Sequence, residues 1–298
     1  AHHCCGPRLF MGPFCITEGG GHQMAPGPGP DQQRTVAGHR WDATRMGVVR
    51  WIAPSLMKRH TLWADIAGLR HMRYTTLLFD LDHTLFDFDA SEVEAFAAAL
   101  ARAGVEVGDD DHDLFVTINA ALWKRVEAGE LSPNDVRVVR FEQLFSEVGV
   151  EADVHRVADD YLVGLGRYGN LFPGARDLLV GLSGEASLAL VSNGIGQVVR
   201  DKVERLDLAR YFDAIVISGE VGVAKPHSEF FDMAFERLGH PEKATTLMIG
   251  DSLASDIQGG YAYGIDTCWY APKTQTEPTP APTYRVRRLS EIPALVEG

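Results

Sequence analysis

Cysteine is scarce in this 298-residue chain: three of the four (Cys4, Cys5, Cys15) fall in the first 71 residues, and only Cys268 lies beyond them. One thiol cannot build a disulfide framework, so the body must be held by its core, and a reducing, cytoplasmic compartment is expected. Long apolar runs are missing too. None approaches the ~20 residues that a membrane span needs, so a soluble protein without a membrane partner is expected. Positive charge is the third shortage. The whole chain carries 28 Lys+Arg against 41 Asp+Glu, a net −13. From Met72 onward the balance is 20 against 37, a net −17, whereas residues 1–71 hold 8 against 4. A body this acidic repels phosphate backbones, which argues against a nucleic-acid polymer as partner. An anionic substrate would have to be met locally, by a metal or a few placed donors.

Residues 1–71 differ in kind from the rest. They hold ten of the thirty glycines and six of the eleven histidines, and Gly19–Gly21 and Pro26–Pro30 interrupt helix and strand alike. The segment reads as a disordered extension with no catalytic content. His2-His3-Cys4-Cys5 lacks the paired spacings of a zinc site. No apolar stretch of signal-peptide length follows a basic start.

Beyond Met72, four segments read as buried parallel strands: Thr75–Phe79, Ser187–Val191, Ala214–Ser218 and Thr245–Ile249, with Thr267–Tyr270 as a weaker fifth. Each of the four is short and apolar on both faces, and ends on a small polar residue or Asp. Helical patterns at Gly174–Leu182, Gln197–Leu206, Glu229–Leu238 and Ser255–Tyr263 alternate with the later strands. The expected fold is α/β, a doubly wound, mostly parallel Rossmann-like sheet with its ligand crevice beyond the strand C-termini. The gap between the first two strands is too long for one crossover and holds about four helical patterns. They are Ser91–Ala103 (opened by a Ser91-x-x-Glu94 capping box and closed by Gly104), Asp111–Ala128, a helix entered at Ser132-Pro133, and Ala152–Leu165. An all-helical insertion there would form a cap over the strand ends, able to exclude water and read the substrate. The expected division is an N-terminal extension 1–71, a core of 72–88 with 170–298, and a cap of 89–169.

Chemistry-bearing residues gather at the strand ends. The first strand ends in Phe79-Asp80-Leu81-Asp82-His83-Thr84, and residues two apart in an extended chain project together. Two such carboxylates raise each other's pKa unless a cation lies between them. A calcium loop is excluded, because its sixth and twelfth positions would be Leu85 and Ser91 rather than Gly and Glu. Val191-Ser192-Asn193-Gly194 offers a hydroxyl and backbone N–H groups where a helix opens. Gly194-Ile195-Gly196 is not a dinucleotide loop, since position 199 is Val. Lys225 is held by Pro226, Asp251 ends the fourth strand, and Asp256 begins the next helix. Each element has a bland reading as a turn, a surface lysine or a helix start. Together they supply what phosphoryl transfer needs: an attacking oxygen, charge neutralisation and a proton for the leaving oxygen.

These four motifs, in this order over residues 73–298, resemble the haloacid dehalogenase-like (HAD) hydrolase superfamily. The resemblance implies a C1-type cap and Asp80 as a nucleophile that becomes a phospho-aspartate. It implies Asp82 as general acid/base, with its backbone carbonyl on Mg²⁺, and Asp80 and Asp251 as the carboxylate ligands of that ion. Ser192, Asn193 and Lys225 would hold the phosphoryl group, and Thr84 and Asp256 would support the site. The acidic residue at Asp82, which the metal-free dehalogenases lack, points to a phosphatase. Stretches Phe79–Phe88, Tyr211–Pro226 and Met248–Tyr270 are most similar to the noncanonical pyrimidine 5′-nucleotidases, which implies nucleoside 5′-monophosphates with deoxyuridylate- or thymidylate-like bases as substrates. Asn119, Trp123 and Lys124 are of types that stack on or bond a base, although helical spacing makes Trp123 read as cap core. Rival readings use the same site on phosphoglycolate or a sugar phosphate, hand the phosphoryl group on as a β-phosphoglucomutase-like phosphotransferase, or keep the fold as a catalytically silent partner-binding protein. The expected assembly is a monomer or homodimer.

Overall fold

The structure is a computed structural model that describes residues 72–106, 108–273 and 278–298, so the expectations for residues 1–71 fall outside the described residues. Six parallel strands form one sheet: β1 (Thr76–Phe79), β2 (Ser187–Ser192), β3 (Ala214–Ile217), β4 (Thr246–Gly250), β5 (Asp266–Tyr270) and β6 (Tyr284–Val286). Their order is β3-β2-β1-β4-β5-β6. The central strand β1 pairs Thr76–Phe79 with Ser187–Leu190 on one side and with Thr246–Ile249 on the other. Chain order reverses at β1, so the tips of β1, β2 and β4 flank the topological switch point where ligands of such sheets bind.

Alternation along the strands sorts the core. Leu77 and Phe79 of β1 join Leu188, Leu190, Leu247 and Ile249 on one face, while Leu78 joins Ala189, Val191, Val216 and Met248 on the other. The first face is covered by α5 (Ala175–Leu182) and by α10 (Ile292–Glu297), and packs with Val199 and Val203 of α6 (Gly196–Arg205). The second is covered by α8 (Ser228–Arg237) and α9 (Gln258–Tyr263), with α7 (Ser218–Val221) as a single turn after β3. Burying each Leu or Phe contributes about 1.5–3 kcal/mol, which is why these short, wholly apolar strands read clearly in the sequence.

The segment between β1 and α5 forms α1 (Phe88–Ala103), α2 (Asp109–Glu127), α3 (Pro133–Val148) and α4 (Val154–Arg167). They enclose an aromatic core of Phe96, Phe115, Phe141 and Tyr161. α3 starts as its sequence requires, with Ser132 capping Asp135 N–H and Pro133 in the first turn. α1 does not. It begins three residues before Ser91, on an Asp87 cap that accepts from Ala90 N–H, because Phe88 packs into both the sheet core and the helical core. The expected capping box at Ser91 is therefore overturned: Ser91 is buried inside α1, and its hydroxyl donates to the Leu165 carbonyl of α4 at 3.2 Å. α1 and α4 run close at Gly164, where a Cβ would lie 2.7 Å from that of Ala95. The pattern over Ser255–Tyr263 is also modified, opening as a π turn (Leu253–Ile257) before α9. β6 and α10 were not foreseen. Among the described residues, no helix is long and apolar enough to cross a membrane.

Candidate active site

The sheet places each predicted residue. Asp80 follows β1 directly, and its N–H continues the ladder to Ile249 O at 3.0 Å, so its carboxylate is carried at the centre of the strand tips. Lys225 meets it from the connector after α7: Lys225 Nζ donates to Asp80 Oδ1 (2.8 Å), Asp256 Oδ1 (2.7 Å) and the Val191 carbonyl at the end of β2 (2.7 Å). All three ammonium protons are used, and the side chain is 1 % exposed. Asp256 is fixed on its other oxygen by Ser252 N–H at 3.0 Å. Gly250 makes room for it, because a Cβ there would stand 2.2 Å from Asp256 Oδ2. Asp251 receives the Thr84 hydroxyl at 3.4 Å, and its carbonyl accepts from Trp269 Nε1 at 2.8 Å.

Two expectations change in detail. Asn193 is committed to Lys225: its amide donates to Lys225 O at 2.8 Å and its carbonyl accepts from Lys225 N at 2.9 Å. Gly194 N–H is likewise taken, by Ser218 Oγ at 3.0 Å, so it is not the open anion donor that the strand–turn–helix pattern suggested. Ser192 is buried at the end of β2. Asp80 and Asp82 both line the cavity, but they are paired with different lysines, Asp80 with Lys225. Asp82 has its own cation, Lys202 Nζ at 2.7 Å.

Lys202 was missed by the sequence reading. It is fully buried, and its ammonium also lies 4.3 Å from the centre of the Phe86 ring and 4.9 Å from that of Phe88. The signal was available: Val198, Val199, Lys202 and Val203 share the buried stripe of α6, where a lysine needs a reason to be. Ser218, which fixes the Gly194 loop, was missed as well and has no comparable pattern.

Electrostatics set the character of the strand tips. Asp80, Asp251 and Asp256 present ligand atoms within 4.8 Å of one another. Burial, then repulsion from Asp256 and Asp82, outweighs the pull of Lys225 and pushes Asp80 up to about 6. Burial with repulsion from Asp80 and Asp256 pushes Asp251 up to about 8. Burial would lower Lys225, but Asp256 and Asp80 on balance raise it, so it stays an ammonium. One lysine among three carboxylates, two of them buried and Asp251 half-buried, leaves an excess of negative charge. Hard carboxylate oxygens carrying that excess suit a hard divalent cation, and Asp80 and Asp251 keep oxygens for it whereas both oxygens of Asp256 are bonded within the protein.

From this acidic floor a cavity of about 430 Å³ runs between the strand tips and the helical segment. Its helical side is lined by Glu92, Asn119, Trp123 and Arg140 among others, so Asn119 and Trp123 do face it, and Lys124 is not among the lining residues. The volume is that of a site enclosing a small organic ligand. Chemically, the arrangement offers an anionic nucleophile position at Asp80 beside a fixed ammonium, a second carboxylate, Asp82, in the same cavity, and oxygens of Asp80 and Asp251 that could hold a cation.

A family model described as haloacid dehalogenase-like hydrolase matches residues 74–264. The pyrimidine 5′-nucleotidase PynA of Streptococcus pneumoniae is 40% identical over 223 residues, covering 74% of this chain and 94% of the relative. The pyrimidine 5′-nucleotidase YjjG of Escherichia coli is 32% identical over 226 residues, covering 76% and 99%. Among solved structures, the magnesium-bound HAD-hydrolase YfnB of Bacillus subtilis, described as revealing interdomain movement, superposes with a TM-score of 0.71 at 35% identity and covers 76% of this chain and all of that one.

Proposed function

The chain belongs to the haloacid dehalogenase-like hydrolases, and on that footing we propose that it is a Mg²⁺-dependent phosphomonoesterase of pyrimidine nucleoside 5′-monophosphates. The observation that carries the reading is the Asp80–Lys225–Asp256 chain of hydrogen bonds beside Asp251 at the floor of a ligand-sized cavity. Relatives named as pyrimidine 5′-nucleotidases support the choice of substrate. Asp80, Asp251 and the backbone carbonyl of Asp82 would hold the ion, whose charge would let a carboxylate approach a phosphate. The magnesium in the YfnB structure supports that assignment.

In this reaction the Asp80 carboxylate attacks phosphorus, the bond from phosphorus to the nucleoside 5′ oxygen breaks, and Asp82 gives that oxygen its proton. Asp82 then takes a proton from water as the water oxygen attacks the phosphorus of phospho-Asp80, which frees inorganic phosphate and restores both aspartates. Lys225 has no spare proton for the phosphoryl group, so its part is to neutralise charge and to hold Asp80 in the attacking position. Ser192, buried at the end of β2 next to the cavity-lining Asn193, would bond a phosphoryl oxygen through its hydroxyl. We take residues 72–88 with 170–298 as the core domain and 89–169 as a cap whose helices close the cavity. The buried free thiol of Cys268 is in keeping with a cytoplasmic enzyme.

The test is phosphate release from a panel of pyrimidine and purine nucleoside monophosphates, phosphoglycolate and sugar phosphates, with Mg²⁺ and with a chelator. Turnover of UMP or dTMP that the chelator abolishes is expected. Asp80→Asn should lower kcat by about 10³-fold or more while the far-UV spectrum stays unchanged. No turnover of any pyrimidine nucleotide sinks the substrate reading, and full activity of the Asp80→Asn variant sinks the mechanism.

A further inference from the structure

At the helical end of the cavity lies a polar cluster that the hydrolysis above does not use. Arg140 of α3 is 1 % exposed, yet among the described residues only its Nη1 has a partner, the Asn119 carbonyl at 3.4 Å, while Nε and Nη2 have none. Its guanidinium is held over the Tyr161 ring at 4.4 Å. Asn119 of α2 turns its amide to Glu92 Oε1 at 3.2 Å, which also accepts from the Tyr161 hydroxyl at 3.3 Å. Glu92, 5 % exposed on α1, has its carboxyl raised above the ordinary range by burial. A buried guanidinium with two unmet donors costs stability that an apolar residue would not. Such a half-satisfied network makes sense where a ligand completes it, and Glu92, Asn119 and Arg140 all line the cavity that holds Asp80.

The orientation of Asn119 is settled by its two neighbours, since its carbonyl faces a guanidinium and its amide faces a carboxylate. The cluster thus presents N–H donors on the Arg140 side and a carboxylate acceptor on the Glu92 side. We propose that Glu92, Asn119 and Arg140 form a recognition subsite for a ring edge that pairs a carbonyl with an N–H, the lactam edge of a uracil- or thymine-type base. This inference rests on the nucleotidase reading above and assigns the residues that select the base. The ring carbonyl accepts from Arg140, and the adjacent ring N–H donates to Glu92. A cytosine ring carries a bare nitrogen where the lactam has N–H, and would set that lone pair against the carboxylate, an unpaired contact of the kind that discriminates strongly.

Two ratios of kcat/KM for phosphate release test this with the full chain: UMP to p-nitrophenyl phosphate, which has no base, and UMP to CMP. Arg140→Met keeps the length of the side chain and removes its donors, and should lower the first ratio by about 10- to 100-fold. Glu92→Gln can donate as well as accept, and should lower the UMP to CMP ratio by about tenfold or more. A structural role would lower all substrates alike and leave both ratios where they were, which overturns the subsite. If Arg140→Met does not fold by its circular dichroism, the near-isosteric Glu92→Gln decides alone. Should the wild-type protein hydrolyse p-nitrophenyl phosphate but neither nucleotide, the nucleotidase reading falls and the subsite with it. Wild-type turnover of UMP with unmoved ratios removes the subsite only.

Discussion

The two ends of the cavity are built on opposite principles. At the strand tips every proton of the Lys225 ammonium is bonded, and Asp256 is fixed through both oxygens. At the helical end the Arg140 guanidinium has, among the described residues, a single long hydrogen bond and two donors without partners. A reacting centre must not reorganise when the transition state forms, so its groups are held by backbone that the sheet makes rigid. A recognition surface can leave its hydrogen bonds for the ligand to complete. The closed network at one end and the open one at the other therefore mark where chemistry stops and selection starts.

This contrast can be broken in three places, beyond the substitutions already described. The largest effect is expected at Lys225→Met. It removes the only cation that, among the described residues, is bonded to Asp80 and Asp256, and leaves two buried carboxylates without a counter-charge. A loss of about 3–5 kcal/mol in urea unfolding is expected, together with loss of phosphate release beyond about 100-fold. If stability is unchanged, the strand-tip network is not the closed unit described here.

Asp251→Asn should act in the opposite direction on stability. In the metal-free protein the Asp251 carboxyl is pushed up to about 8. Between the ordinary value of ~3.9 and that figure, the folded protein keeps a proton that the unfolded chain has released, so stability falls as pH rises through the window. With chelator present, the variant should melt a few degrees higher than wild type at neutral pH, at roughly 2–4 °C per kcal/mol, and lose most of that advantage near pH 4. Activity with Mg²⁺ should be lost. An equal melting difference at both pH values would remove the electrostatic explanation. For the same reason, cation binding to the wild-type site should weaken on acidification and release protons that a pH-sensitive dye can count.

The smallest effect is expected on the outer surface of the helical segment. Arg102 pairs with Asp160 at 2.9 Å, but the two are 48% and 22% exposed. Arg102→Ala should cost no more than about 1 kcal/mol in urea unfolding and leave the UMP to CMP ratio unmoved. A large change in that ratio would show that selection is spread through the helical segment rather than lodged in its interior.

Much of this could be read from the chain alone. The strands β1 to β4 were legible because a strand buried on both faces must be wholly apolar, and few other segments are. Asp80 and Asp251 were legible because a charged residue directly beyond such a strand has no folding reason to be there, and Lys225 and Asp256 because they follow in the order that the four motifs require. β6 was not, since three residues with an arginine in the middle carry no period. The start of α1 was misplaced because a local capping pattern at Ser91 competed with the packing of Phe88, and packing won. Lys202 was passed over although it interrupts the apolar stripe of its helix.

What the sequence determined by itself is the parallel core and the order of acidic and basic residues along its strand tips, because both follow from local rules of burial and period. The tertiary structure alone decided which charges meet. It gave Asp82 to Lys202 rather than to a shared cation with Asp80, turned Asn193 onto the backbone of Lys225, and brought Glu92, Asn119 and Arg140 from three helices to one end of the cavity. Pairings across 120 residues, as between Asp82 and Lys202, depend on how helices cross and which side chains the packing leaves facing inward. No local pattern in the chain encodes that.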